Sequence, residues 1–183
     1  MLRENDLFMA AKYQDAEAHL FSSRREQPYL DAEAVDFEMQ FNKRTDYLKI
    51  TRLSQEGLEH FVLNYGHSYR VLFLDDCTRI QDFSPLGDLP ELEALRIEWC
   101  RKADRLWDMS GNTSLKVLSI HDARKIAANP TQLQTSQTLE EIRLWGADFD
   151  NKYTLESLSC FQGMRSLKRI DLNMMKLQAH SQH

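Results

Sequence analysis

YRVLFLDDC from Tyr69, LEALRIEWC from Leu92, LKVLSIHDA from Leu115, LEEIRLWGA from Leu139 and LKRIDLNMM from Leu167 are five versions of one pattern. Each reads apolar-x-x-apolar-x-apolar-x-x-small, apart from the methionine that ends the fifth, and the starts lie 23, 23, 24 and 28 residues apart. Inside each copy apolar and variable residues alternate: Leu72 and Leu74, Leu95 and Ile97, Leu118 and Ile120, Ile142 and Leu144, Ile170 and Leu172. A two-residue period is that of a short strand with one buried face. One such strand cannot bury that face alone. Stacked on neighbours about 4.8 Å away, it becomes one rung of a parallel sheet backed by a continuous core.

A fixed period of about 20 to 29 residues carrying this core resembles the leucine-rich repeat. The run IQDFSPLGDLPEL at residues 80–92 is similar to the convex segment of the bacterial internalins and of the phosphatase-regulator subclass of such repeats. Ile80, Phe83, Leu86, Leu89 and Leu92 fall three apart there, a spacing that suits 3-10 turns better than a long α-helix. Leu155, Leu158, Phe161, Met164 and Leu167 repeat the period in the last connection, where the longer spacing leaves room for a helical turn or two. The two middle connections keep only Leu106, Met109 and Leu133 as anchors. The resemblance covers residues 69–175. It implies an α/β solenoid, a short leucine-rich-repeat stack with a parallel sheet on its concave side, and a role in binding another protein. It also implies that the ninth positions, Cys77, Cys100, Ala123, Ala147 and Met175, turn inward. Buried free thiols are the expected state of Cys77 and Cys100, and a disulfide between these stacked neighbours is the alternative. The odd third cysteine, Cys160, lies in the fourth connection.

Residues 1–68 read as a cap over the open N-terminal end of the stack, since a terminal rung otherwise shows apolar surface and unpaired strand groups. The cap consists of a helix over 6–21 with Asp6 as N-cap, then strands over 34–41 and 46–53 joined as a hairpin through NKRT, then a helix over 54–66. Val35, Phe37, Met39 and Phe41 share a face of the first strand; Leu48, Ile50 and Leu53 line the second. Ser54 caps the last helix, Leu58, Phe61 and Val62 form its apolar face, and Gly66 ends it; Gly57 reads as a tolerated first-turn residue. Residues 176–183 read as a polar tail. With Leu177 and Ala179 as its only apolar groups, that tail leaves Ile170 and Leu172 exposed, so a homodimer through the C-terminal repeat, or a partner completing the stack, is expected. Alternatively Lys168, Arg169 and Lys176 keep the edge soluble by charge.

Charge and composition exclude several functions. The net charge of −5 sits mainly in residues 1–60, with twelve acids against eight bases, while 61–183 hold sixteen against fifteen. A nearly neutral pattern region has no basic stripe to track nucleic acid. No apolar run of about 18 residues suggests a membrane span. The acidic N-terminal stretch lacks the apolar core of a signal peptide, which points to the cytoplasm.

In-register stacking arranges the variable positions in columns on the concave face: Val71, Ala94, Val117, Glu141 and Arg169; Phe73, Arg96, Ser119, Arg143 and Asp171; Asp75, Glu98, His121, Trp145 and Asn173. Aromatic and arginine residues dominate interface hot spots, so Phe73, Arg96, Glu98, Trp99, His121, Arg143 and Trp145 are the candidate partner-binding residues. Arg96, flanked by Asp75, Glu98 and Glu141, can equally serve only to balance charge. Trp107 lies in a connection and belongs to convex packing. Asp75, Glu98 and His121 could in principle chelate a metal or share a proton, but side chains on a flat ladder diverge rather than converge. No HExxH, paired CxxC, GxSxG or glycine-rich phosphate loop occurs. The sequence therefore points to a non-enzymatic recognition module without catalytic residues, metal or cofactor. A regulatory subunit of an enzyme such as a phosphatase, or an immunity-type neutralising protein, is the alternative.

Overall fold

The computed structural model describes residues 19–20, 29–43, 46–128, 130–146, 153–173 and 175–177. It contains an open sheet in which every neighbouring pair is parallel: β1 (His19–Leu20), β2 (Tyr47–Thr51), β3 (Val71–Asp75), β4 (Ala94–Glu98), β5 (Val117–His121), β6 (Glu141–Trp145) and β8 (Arg169–Asn173), in that spatial order. A separate pair joins β7 (Tyr153–Leu155) to β9 (Met175–Leu177). The helices are α1 (Ala32–Met39), α2 (Gln55–Asn64) and α3 (Arg124–Ala128). This is an α/β arrangement with few helices.

The sheet register is the one that the alternation dictates. Leu72, Leu95, Leu118, Ile142 and Ile170 pair along one row, and Leu74, Ile97, Ile120, Leu144 and Leu172 along another. From β2 to β6 these core-facing residues are fully buried. The core behind them is closed by Ile80, Phe83, Leu86, Leu89 and Leu92, with Leu106, Trp107, Met109 and Leu133 continuing it. Tight 3-10 turns at Ser84–Asp88, Thr131–Thr135 and Leu158–Phe161 carry the three-residue spacing. Asn112, itself buried, ties two of these segments together. Its amide donates to the Leu86 and Leu89 carbonyls at 2.7 and 3.0 Å, and its oxygen accepts from Trp107 Nε1 at 2.7 Å. Trp107 thus packs in the core of the connections, as expected.

After each of β2 to β5 comes one residue in the left-handed region: Arg52, Asp76, Trp99 and Asp122, with φ of 63°, 49°, 57° and 52°. Their amides continue the ladder one step past the strands, onto the carbonyls of Asp75, Glu98, His121 and Trp145 at 2.9 to 3.2 Å. The chain then turns inward onto Leu53, Cys77, Cys100 and Ala123, all buried. Cys77 and Cys100 are free thiols, so the disulfide alternative does not hold. The Leu53 amide donates to Cys77 Sγ at 3.4 Å, and Cys100 Sγ bonds the Glu98 carbonyl at 3.5 Å. Burial holds the Cys100 thiol well above the usual range, with Cys77 beside it adding to the shift.

The N-terminal region departs from the expectation. Residues 32–39 form a helix, so the hairpin does not exist. Asp31 Oδ1 accepts from the Ala34 amide at 3.0 Å and starts α1, and Phe37 and Phe41 meet edge to face at 5.3 Å across one turn. Alternation of Val35, Phe37, Met39 and Phe41 is real in sequence, but β2 is already paired on both sides, with β1 and β3, and has no edge to offer. β2 itself is a further rung, matching Leu48 to Leu72 and Ile50 to Leu74. The helix expected over 6–21 lies outside the described residues except for His19 and Leu20, which are strand. In α2, Ser54 Oγ accepts from the Gly57 amide at 3.0 Å and donates to the Leu30 carbonyl at 2.9 Å, and Leu58, Phe61 and Val62 are buried as expected. Gly57 is more than tolerated: a Cβ there would stand 2.2 Å from the Leu30 oxygen.

The C-terminal end also differs. Ile170 is 42% exposed and Leu172 half-buried, because among the described strands nothing pairs beyond β8. Leu158 is exposed rather than an anchor. Lys176 and Leu177, assigned to a polar tail, belong to β9, opposite Thr154 and Leu155; residues 178–183 are outside the described set.

Candidate recognition face

The far face of the sheet, opposite the helices and turns, carries the three expected columns in register. Val71, Ala94, Val117, Glu141 and Arg169 align, as do Phe73, Arg96, Ser119, Arg143 and Asp171, and Asp75, Glu98, His121, Trp145 and Asn173. β2 extends them with Tyr47, Lys49 and Thr51. These three were missed because Thr45 stands where the five copies carry their leading apolar residue. The signal was nevertheless present: Leu48 and Ile50 precede Leu72 and Leu74 by 24 residues, within the 23 to 28 that separate the later copies.

At the β2 end, Phe73 lies between two cations, with Lys49 Nζ 4.6 Å and the Arg96 guanidinium 4.7 Å from its ring centroid. Each cation is also held by a carboxylate: Lys49 by Asp75 at 2.7 Å, Arg96 by Glu98 at 2.9 Å. At the β6 end, the His121 and Trp145 rings stack at 4.9 Å and 15°, and Arg143 sits 4.5 Å over the same indole. Trp99 stands apart from the columns, in the left-handed turn after β4, with Arg101 4.7 Å over its ring. The structure thus joins Phe73, Arg96 and Glu98 at one end and His121, Arg143 and Trp145 at the other. Arg96 links the halves by approaching His121 Nδ1 at 3.2 Å.

His121 decides what chemistry this face can perform. A guanidinium only donates, so Nδ1 is the acceptor in the Arg96 contact and the neutral ring carries its proton on Nε2. That proton is given to Ser119 Oγ, 2.8 Å away. The pair has the composition of a nucleophile and base but the opposite polarity: the imidazole donates to the hydroxyl that it would have to deprotonate. Burial, with Arg96 and Arg143 nearby, pushes the His121 pKa down to about 3. Asp75 and Glu98 are committed to Lys49 and Arg96, and no metal-binding group of three or more His, Cys, Asp or Glu residues occurs among the described residues.

Exposure corrects the expected docking set. Phe73, Arg96, Glu98, Trp99 and Trp145 are partly accessible, whereas His121 and Arg143 are buried. Glu141 is 1% exposed, and its carboxylate oxygens accept no hydrogen bond. Its nearest cations are Arg169 at 3.7 Å and Arg143 at 4.0 Å. On the other side of the molecule an open groove of about 470 Å³ lies between α2 and the 84–88 turn, lined in part by Leu63, His67 and Pro85. Two of its carboxylates are already engaged, Glu59 by Gln55 and Asp82 by Ser84. No helix among the described residues is long and apolar enough to cross a membrane. Comparison with protein-family models, curated proteins and solved structures gave no match.

Proposed function

We propose that the chain is a leucine-rich-repeat-type scaffold, a short solenoid that recognises another protein through the far face of its sheet. Phe73, Arg96, Glu98 and Trp145 supply the contact, Trp99 its rim, and His121 and Arg143 hold the contact residues from below. The observation that carries this reading is the strip of alternating cations and rings, Lys49, Phe73, Arg96 and then His121, Trp145, Arg143. Rigid aromatic and guanidinium groups lose little entropy on docking and dominate interface energetics. The repeat reading is supported by the sequence period together with the left-handed residue that recurs after β2, β3, β4 and β5. In this reading the protein works in the cytoplasm, without cofactor, nucleic acid or catalysis. Affinity capture from the source cell tests it, comparing wild type with the Phe73→Ala, Trp145→Ala double variant at matched thermal stability. A protein retained by the first and lost by the second is the expected result. Equal retention places recognition elsewhere on the molecule.

A further inference from the structure

Behind the sheet, α2 and the 82–88 connection run side by side in the same direction. Gln55 ties them together at one end: its oxygen accepts from the Gln81 and Asp82 amides, each at 3.0 Å, and its amide donates to the Asp82 carbonyl at 3.1 Å. Toward the other end they approach so closely that a Cβ on Gly66 would stand 2.8 Å from Leu89 Cδ2. The open groove of about 470 Å³ lies between these two ties, so its width is set by the fold rather than by an occupant. One wall is Glu59, Val62 and Leu63, whose spacing puts them on one face of α2. The other is Asp82, Pro85 and Asp88, three apart through the 84–88 turn. The order along the groove is therefore acidic, apolar, acidic: Glu59 and Asp82 near Gln55, then the valine, leucine and proline, then Asp88 toward Gly66. Leu63 is 76% exposed, the most of any large hydrophobic residue among the described ones. No lysine or arginine among the described residues lines the groove. The bonds that Glu59 and Asp82 accept come from the neutral Gln55 and Ser84 and leave both charges in place. Arg105 acts on Asp82 from outside the lining.

We propose that this groove binds a short extended segment of another protein in which one apolar side chain stands between two basic ones. Charge decides the flanks, because cations there meet carboxylates that no cation of the lining neutralises. The exposed leucine decides the centre, because an apolar group laid against Leu63, Val62 and Pro85 removes that surface from water. The walls also set the spacing. From Asp82 to Asp88 is about 12 Å at the rise of a 3-10 turn. On one face of an extended chain, side chains recur every second residue, so residues i and i+4 span about 13 Å. The segment that fits therefore reads basic-x-apolar-x-basic. This groove lies on the opposite side of the sheet from the recognition face, so it is a second contact that does not depend on the first.

The test titrates the end-blocked peptide Gly-Lys-Ser-Leu-Ser-Lys-Gly into the isotope-labelled full chain at low ionic strength and follows backbone amide shifts. Saturable shifts confined to residues 59–67 and 82–88 are expected. The same peptide with glutamate for lysine, or with serine for leucine, should bind about tenfold more weakly. Glu59→Gln with Asp88→Asn, and separately Leu63→Ser, change exposed side chains and should weaken the original peptide by a similar factor. Phe73→Ala with Trp145→Ala should leave its binding unchanged, which separates this site from the recognition face. Absence of saturable shifts, shifts centred on the far face, or groove variants that bind as wild type does would overturn the proposal. So would equal binding of the serine-centred peptide, since the groove would then be an acidic patch that attracts any cation.

Discussion

Strands β2 to β6 have two faces built on one backbone in one register, and the faces obey different rules. Toward the helices every residue is Leu or Ile and fully buried. On the far side the same strands carry Tyr, Val, Ala, Lys, Phe, Arg, Ser, Glu, His and Trp, tied by ion pairs and ring contacts. A uniform apolar row is interchangeable and repetitive, because each rung needs only volume and an inward direction. A polar row is specified pair by pair. The first therefore draws its stability from buried volume and the second largely from particular pairs, and single substitutions separate them.

The largest separation is expected at β5. Leu118→Ala empties a fully buried site, and large-to-small changes in such places cost about 2 to 5 kcal/mol. Arg96→Ala, on the neighbouring strand's far face, removes one partly exposed ion pair, one cation–ring contact and the donor to His121 Nδ1, so a loss of about 1 to 2 kcal/mol is expected. Urea denaturation of both variants checks the contrast. Similar losses would mean that the far face is as much core as the near one.

That asymmetry also sets what could be read from sequence. Alternation at a fixed spacing exposes Leu72, Leu74 and their equivalents, and the columns of variable residues follow from it without further knowledge. Alternation failed at Val35, Phe37, Met39 and Phe41. Period alone cannot tell that β2 has no free edge, and the local signal of Asp31 followed by Ala32, Glu33 and Ala34 favours a helix start. It failed again at Ile170, whose pattern is core-like but whose rung is the last among the described strands of the sheet; burial depends on a neighbour that the pattern does not encode. On the far face, residue type placed Phe73, Arg96 and Trp145 correctly as accessible. It missed that His121 and Arg143 are covered, since cover is a tertiary property.

His121 makes the far face pH-sensitive in a way that the near face is not. Burial lowers its pKa in the folded chain to about 3, whereas a free histidine titrates near 6.5. Between those values the unfolded chain binds one proton more than the folded chain. Stability therefore falls as pH drops through this window, by about 1.4 kcal/mol per pH unit from this group. Asp36, Asp82, Asp108 and Glu140, held low by hydrogen bonds, lose their contributions only below about pH 4.5. The downward slope from about pH 6.5 to 5 is therefore the histidine's, with Glu38, whose carboxyl burial holds above its ordinary value, acting in the opposite sense. Unfolding free energies measured across that interval should slope in wild type and flatten in His121→Gln. Equal slopes would place the sensitivity on another group.

At the turn where the faces meet, the backbone rather than the side chain is expected to set the order of variants. Trp99 sits at φ 57°, a conformation in which any Cβ is strained. Trp99→Gly should therefore be more stable than Trp99→Ala by about 1 kcal/mol. In an ordinary strand position the order is reversed, by about 0.5 to 1 kcal/mol in favour of alanine. Thermal unfolding of the two variants decides between a left-handed turn and a plain strand end, whatever the loss of the indole costs both of them.

The smallest effect on stability is expected where the near face runs out. Ile142 and Ile170 are partners in register, yet the first is fully buried and the second 42% exposed. A lysine at 142 would place an unpaired charge in the core. At 170 its stem can lie along the surface with the ammonium in water, so Ile170→Lys should change stability by about 0.5 kcal/mol or less. Its effect on association is the sharper measurement. An end-to-end homodimer built on the exposed β8 end would use Ile170 and the half-buried Leu172, and a lysine there would split it by desolvation and like-charge repulsion across the two-fold axis. Light scattering over a range of concentrations should show wild-type mass rising and Ile170→Lys mass staying at that of one chain. Opposing this, the edge is already charged: Lys168 pairs with Glu140 at 2.6 Å and Arg169 with Glu141 at 3.7 Å, and charged groups are a common guard on strand ends. Wild type that stays monomeric throughout would show that these charges suffice, and that the last rung is left as a solvated end.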